Sequence, residues 1–569
     1  MKKFALMILS FLLCTCFSSV LYSQTYIDTA NFTVSAQIRP SDYTQWPDSL
    51  GAWKVFATYD LDKNGKKEFL VIADPPTSGA GKLMPSIYRF EATGNNTYAL
   101  VWSATIPDTN RGSFFYPDLT VADMDGDGNQ EIFVAIPASG RDGNPDPNPA
   151  RVHIFEYDPA LKNFPTTATM STNLQLRDEM RYHCTRILVA NTDSDPELEL
   201  VVTSRSDDYG GIGLGRSLSV LHLIGDISQG FNTFETEFID SSSVLQGGAV
   251  YDLGVVDFDG DGKQEIWVAT WDMLSLAIYE TTGPNTYALQ ADINQAAALG
   301  DIGFRHGMKF FDANKDGKLE MYSAGITGDG NNPGAVYYIG NVSDVSTLTT
   351  ASVKQISPAI DGASNGAWSL EGGDVGDIDG DGKVDYFAAG AGPHRNLYRM
   401  EYKSGAYDVA ASYSWDSVYY ARNDSSYNFR NVVIASDLDG DGKKEVLFTN
   451  SIARNGKPDA SVIILESKVV VQSVKQLSSQ IPSAFSLEQN FPNPFNPSST
   501  VRFSVKTEGP VELFITNALG QNVGSLVDGI VAAGTHEVTF NADGLASGTY
   551  FYTLKSGNFV ETKKMMLLK

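Results

Sequence analysis

Short runs in which apolar and polar residues alternate recur along most of the chain, and that period predicts strands. The first group covers residues 53–59, 69–73, 86–91 and 98–104. The last group covers residues 431–436, 446–449 and 461–466. Either 32–38 or 469–474 could complete it, and 32–38 alternates more cleanly. Past residue 485 the runs shorten to 501–505, 511–517, 523–527, 535–540, 549–554 and 559–567, punctuated by Gly520-Gln521, Gly534 and Gly548. Such spacing predicts a small Ig-like sandwich at the C-terminus.

Between the first two runs of each group lies a nine-residue acidic stretch. Its fullest form is Asp123-Met124-Asp125-Gly126-Asp127-Gly128-Asn129-Gln130-Glu131, with acids at positions 1, 3, 5 and 9 and glycine at position 6. The stretch recurs at Asp60, Asn191, Asp257, Asp312, Asp377 and Asp437, at steps of 55 to 68 residues. Each step is long enough for four strands. Seven such units in one array predict an all-β, seven-bladed β-propeller over residues 24–467. A linker over 468–484 and the sandwich over 485–569 complete the chain.

Alternating carboxylates on a tight turn converge their oxygens on one point, and glycine supplies the positive φ that the turn needs. Several hard oxygen donors suit Ca2+ better than zinc or copper. An EF-hand places its last acid at position 12 on a helix; here the last acid opens a strand, so the unit is a β-hairpin calcium loop. The candidate ligands are Asp60, Asp62, Asn64 and Glu68; Asp123, Asp125, Asp127 and Glu131; Asn191, Asp193, Asp195 and Glu199; Asp257, Asp259, Asp261 and Glu265; Asp312, Asn314, Asp316 and Glu320; Asp377, Asp379, Asp381 and Asp385; and Asp437, Asp439, Asp441 and Glu445. Up to seven Ca2+ are expected. The Asn191 loop departs most, with Pro196 where glycine is expected. Asp-rich loops also form Asx-turns without any metal, but repeating such like-charge repulsion around an array argues for a cation.

Composition agrees. The formal net charge is −26, which argues against nucleic-acid binding. Of the three cysteines, Cys14 and Cys16 fall in the leader. Cys184 then has no partner for an internal disulfide, and it reads as a small buried residue. Residues 1–23 carry Lys2 and Lys3 before an apolar run and read as a secretory signal peptide. No later segment is apolar enough to span a bilayer.

The repeated loops resemble the FG-GAP and VCBS repeat family, whose relatives include the integrin α-chain head domains. The resemblance covers roughly residues 50 to 467 and implies calcium in the loops that join the first two strands of each blade. All the loops then lie on one face of a disc. The opposite face would carry Phe114, Phe115, Tyr116, Arg181, Tyr182, His183, Arg205, Tyr209, Trp271, Arg305, His306, Trp368, His394, Arg395, Phe429 and Arg430. Aromatic and basic groups gathered there suit an anionic or sugar ligand. Tyr116, Arg181, His183, Tyr209, Trp271, Arg305, His306, Trp368, His394, Arg395 and Arg430 are the candidate ligand-face residues.

The tail closely resembles the type A C-terminal sorting domain of the type IX secretion system. Asn493-Pro494-Phe495-Asn496-Pro497, Gly520-Gln521, Ala533-Gly534, Ser547-Gly548-Thr549-Tyr550 and the terminal residues 563–569 carry the match. It implies export through that machinery and release at, or attachment to, the cell surface.

No nucleophile elbow, zinc-binding His pair or phosphate loop is present, and Asp-Gly-Asp-Gly lacks the βαβ context of a dinucleotide site. Two functions stay in play. One is adhesion or recognition of an extracellular glycan or protein. The other is a polysaccharide lyase acting on uronate-containing polymers, with Arg181, His183, Arg305, His306, His394 and Arg395 supplying the carboxylate-neutralising and proton-abstracting groups. Binding is preferred, because these residues match no placed lyase motif and fold does not fix function.

Overall fold

A computed structural model of the chain describes residues 25–47, 51–74, 85–106, 117–136, 152–172, 183–193, 195–205, 217–229, 233–240, 245, 250–270, 275–294, 302–304, 307–327, 335–357, 370–390, 396–421, 429–451, 460–470, 475–478, 482–507, 509–520, 522–531, 533–542, 545–557 and 559–568. Residues 1–23, expected to be a signal peptide, lie outside them. The chain is all-β, built mainly of four-stranded antiparallel sheets.

Among the described residues, seven sheets precede the tail. The first joins Gly51–Tyr59, Glu68–Asp74, Ser86–Gly94 and Thr97–Thr105 in chain order, and the second joins Asp118–Ala122, Glu131–Ala135, Val152–Glu156 and Met170–Thr172. The third starts at His183–Ala190, the fourth at Val250–Val256, the sixth at Leu370–Gly376 and the seventh at Phe429–Ala435. In the fifth, Ile302–Phe304 and Lys309–Phe311 share one partner, Glu320–Thr327. Phe32–Ile38 is the fourth strand of the seventh sheet and pairs with Val462–Val470. Thr25–Ile27, which the sequence pattern does not single out, adds a fifth strand to the sixth sheet.

The inner strands are buried on both faces, as in Glu131–Ala135 and Glu265–Thr270, because each sheet packs between two others. Leu70 and Ile72 of the first sheet meet Ile132 and Val134 of the second. Phe133 and Ala135, on the other face of that strand, meet Leu200 and Val202 of the third. Shared cores join the third to the fourth, the fourth to the fifth, the fifth to the sixth and the sixth to the seventh. Leu447 and Ile464 of the seventh sheet pack on Val55, Phe69 and Val71 of the first.

Polar side chains on the first strands tie neighbouring sheets together. Asp118 Oδ2 accepts the Ile187 amide at 3.1 Å, Asp252 Oδ2 accepts those of Gly307 and Met308 at 2.6 and 2.7 Å, and Asp374 Oδ2 accepts that of Ile434 at 2.8 Å. Asn431 Oδ1 does the same for Val55 at 2.9 Å. Lys54 pairs with Asp118, and Lys309 lies 3.7 Å from Asp374. Burial alone would push Asp118 up, but Lys54 and Arg186 beside it hold its carboxyl below the usual range.

In the tail, two four-stranded sheets enclose one core that includes Phe495, Val501, Leu513 and Tyr552. Strand Lys475–Ser478 pairs with the strand Gly534–Asn541. The expected linker over 468–484 therefore gives a strand to the tail, and its first residues finish Val462–Val470. Of the described residues, no helix is long and apolar enough to cross a membrane.

Candidate metal centres

Each acidic loop is held by its position-9 acid, which stands at or near the start of the second strand. One oxygen of that position-9 acid accepts the amide of position 2: Glu68 from Leu61 at 2.6 Å, Glu131 from Met124 at 2.7 Å, Glu199 from Thr192 at 2.6 Å and Glu265 from Phe258 at 2.7 Å. Glu320, Asp385 and Glu445 repeat the bond to Ala313, Ile378 and Leu438 at 2.7, 2.9 and 2.5 Å. Position 6 is glycine in every loop but the third, with φ between 82° and 93°. That left-handed turn lets the Gly65, Gly262, Gly317 and Gly382 amides donate back to the position-1 carboxylates at 2.8 to 3.1 Å.

These bonds hold one oxygen of each acid and leave others over. The second oxygens of Glu68, Glu131, Glu199, Glu265 and Glu445 are buried and accept no hydrogen bond, as are Asp123 Oδ1 and Asp437 Oδ1. In the second, fourth and seventh loops, one oxygen from each of the four acids lies within 4.8 Å of the others. That span is about twice a Ca–O distance. Burying a bare carboxylate oxygen costs free energy unless a partner compensates. Burial pushes Glu131 and Glu445 up to about 9 and Glu68 and Glu265 up to about 8. Orphaned oxygens, an all-oxygen donor set and mutual reach fit a hard divalent cation.

The loops are not equivalent. Asn314 Nδ2 donates to Glu320 Oε1 at 2.7 Å, so both oxygens of that acid are used within the chain. Arg399 Nε donates to Asp385 Oδ1 at 2.7 Å and its Nη2 to Asp379 Oδ2 at 2.6 Å, which places a guanidinium against the sixth loop. Arg89 reaches the first loop more loosely, 3.2 Å from Asp62 and 3.6 Å from Glu68. Asn191 Nδ2 donates to the Asp195 and Glu197 carbonyls at 2.5 and 3.0 Å. Sequence reading missed Arg89 and Arg399. Their signal is an arginine two residues before a glutamate on the third strand, Arg89-Phe90-Glu91 and Arg399-Met400-Glu401.

Of the residues expected on the opposite face, Tyr116, Arg181, Tyr209, Trp271, Arg305, His306, Trp368, His394 and Arg395 lie outside the described residues, as does the side chain of His183. Arg430 stands over the Trp53 ring at 5.2 Å and donates to Ser451 Oγ at 3.2 Å. Its guanidinium is thus engaged between the seventh and first sheets. Phe429, expected on that face, is instead a core residue packed on Tyr419 and Phe448, because it opens the strand that faces the sixth sheet.

The model of the secretion system C-terminal sorting domain family matches residues 489–568. The chain is therefore exported by type IX secretion to the cell surface or the extracellular space. No FG-GAP or VCBS repeat model matches, and no curated protein matches. Among solved structures, a glycosyl hydrolase from Bacteroides ovatus is similar at 13% identity, over 56% of this chain and 91% of that one, with a TM-score of 0.26. AofleA from Arthrobotrys oligospora is similar at 12% identity over 71% and 92%, with a TM-score of 0.34. A β-fructofuranosidase from Schwanniomyces occidentalis is similar at 9% identity over 93% and 82%, with a TM-score of 0.27. Likenesses this distant carry nothing about function.

Proposed function

We propose that residues 24–467 form a seven-bladed β-propeller of the FG-GAP/VCBS kind. In this reading, calcium clasped by hairpin loops on one face stiffens the body, and the other face binds an extracellular glycan or protein. Seven sheets that pack in succession, with the seventh meeting the first, support the architecture. One observation carries the calcium reading: the same buried, half-satisfied acid recurs in loop after loop. The second, fourth and seventh loops fit an ion best, and the first and third offer the same orphaned oxygen. The fifth and sixth loops, whose position-9 acids are satisfied internally, hold calcium most weakly. The Ig-like tail engages the type IX machinery, and the body works where export delivers it.

The test is a glycan array probed with the mature chain in calcium and in excess EGTA, beside an assay for unsaturated uronate absorbance on acidic polysaccharides. Calcium-dependent binding without absorbance supports recognition. Absorbance that is lost in His306→Ala and kept in calcium-loop variants supports the lyase instead.

A further inference from the structure

A glutamate on the third strand faces the position-9 acid in five of the seven sheets: Glu91 faces Glu68, Glu156 faces Glu131, Glu280 faces Glu265, Glu401 faces Asp385 and Glu466 faces Glu445. Two acids side by side repel, and four of the five glutamates meet a cation of the chain. Lys66 pairs with Glu91, Lys263 with Glu280 at 2.6 Å, and Lys443 with Glu466, each from position 7 of its loop. Arg399 and Lys403 serve Glu401 at 3.5 and 2.7 Å. Glu156 differs. Position 7 of its loop is Asn129, whose Nδ2 turns to Asp127 Oδ2 at 2.7 Å. Glu156 is 5% exposed and its Oε2 has no hydrogen-bond partner.

The fourth loop repeats this corner with one difference. There Asp259 Oδ2 accepts the Val345 amide at 3.0 Å, and Asp344 heads the turn that supplies it. Here Asp125 Oδ2 accepts the Ile227 amide at 2.9 Å, and Asp226 heads the turn. Asp125, Glu156 and Asp226 therefore correspond to Asp259, Glu280 and Asp344. In the fourth loop the Lys263 ammonium enters that acid corner, donating to Glu280 and Asp261 at 2.6 and 2.8 Å. In the second loop position 7 supplies no ammonium, and oxygens of Asp125, Glu156 and Asp226 lie within 4.8 Å of one another.

We infer that Asp125, Glu156 and Asp226 hold an additional calcium ion, beside the second-loop site and sharing Asp125 with it. Three carboxylates without a lysine leave a charge that a hard divalent ion neutralises with oxygen ligands alone. The inference goes beyond the loop reading and rests on it only through Asp125.

Equilibrium dialysis of the mature chain against calcium counts the ions. Asn129→Lys installs the residue that the fourth loop already carries, so it is compatible with the fold, and it should lower the count by one. Glu156→Gln should do the same, and the double variant should lose no second ion. Lys263→Asn should raise the count by one. Parent calcium binding that neither Asn129→Lys nor Glu156→Gln reduces overturns this inference and leaves the loop sites standing. A parent that binds no calcium overturns both.

Discussion

Glu131 Oε2 accepts the Met124 amide at 2.7 Å while Glu131 Oε1, equally enclosed, accepts nothing. A carboxylate so placed is a scaffold for its loop and a liability without a cation. Glu131→Gln separates the two roles. The amide oxygen can still receive Met124, and the amide buries no charge where the carboxylate does. In EGTA the variant should melt no lower than the parent. In calcium it should melt lower, by an amount worth roughly 1 to 2 kcal/mol, the linkage of one filled site. Differential scanning calorimetry in both buffers reads the reversal; equal shifts in both would contradict it.

The pH dependence of the metal-free protein follows from the same groups. Burial raises Glu131 and Glu445 from 4.5 to about 9 and Glu68 and Glu265 from 4.5 to about 8. The fold then holds protons more tightly than the unfolded chain does, so this contribution is complete below the unfolded value and is lost as pH rises through the folded ones. The melting temperature in EGTA should fall steadily from about pH 5 to about pH 9. Saturating calcium binds the ionised carboxylates and should flatten or invert that slope. A flat profile in EGTA would contradict the assignment.

Asp118 joins three sheets, through Lys54 of the first and the Ile187 amide of the third. Asp118→Ala strands a partly buried ammonium and an amide. It should cost about 2 to 4 kcal/mol, toward the lower part of the range for a broken buried pair because Lys54 keeps some solvent. Asp118→Asn should cost less, since Asn431 performs the amide-accepting role for Val55 unaided. Urea midpoints followed by tryptophan fluorescence compare the two.

Much of this architecture was legible in the residues. Alternation located the strands, and the nine-residue acidic stretch located the loops, because both are local patterns with a fixed period. The ties between sheets were not legible: Lys54, Asp118 and Lys309 stand six, five and three residues before their loops, so no single spacing marks them. Thr25–Ile27 and Lys475–Ser478 were missed because three or four residues carry too little period to read. The sixth loop shows why acid count alone misleads: four acids stand there, yet Arg399 takes oxygens of two of them. Asn129 is legible on aligning position 7 of the loops, where five of the seven carry lysine.

The sorting domain offers its own test. Tyr552 Oη accepts the buried Asn490 amide at 2.8 Å and donates to the Glu488 carbonyl at 2.8 Å. Tyr552→Phe should leave both unpaired and destabilise the tail by about 1 to 3 kcal/mol. The expected readout is a smaller exported fraction on immunoblots of cells and medium, with no change in calcium binding by the body.

Thermal unfolding of the mature chain in about 1 mM calcium and in excess EGTA bears most directly on the whole account. With three well-formed loops each at about ten times its Kd, calcium contributes roughly 4 kcal/mol, or about 5 °C for a body of this size. The chelated protein should melt at least that much earlier and recover when calcium is restored. Identical melting with and without the chelator would contradict it.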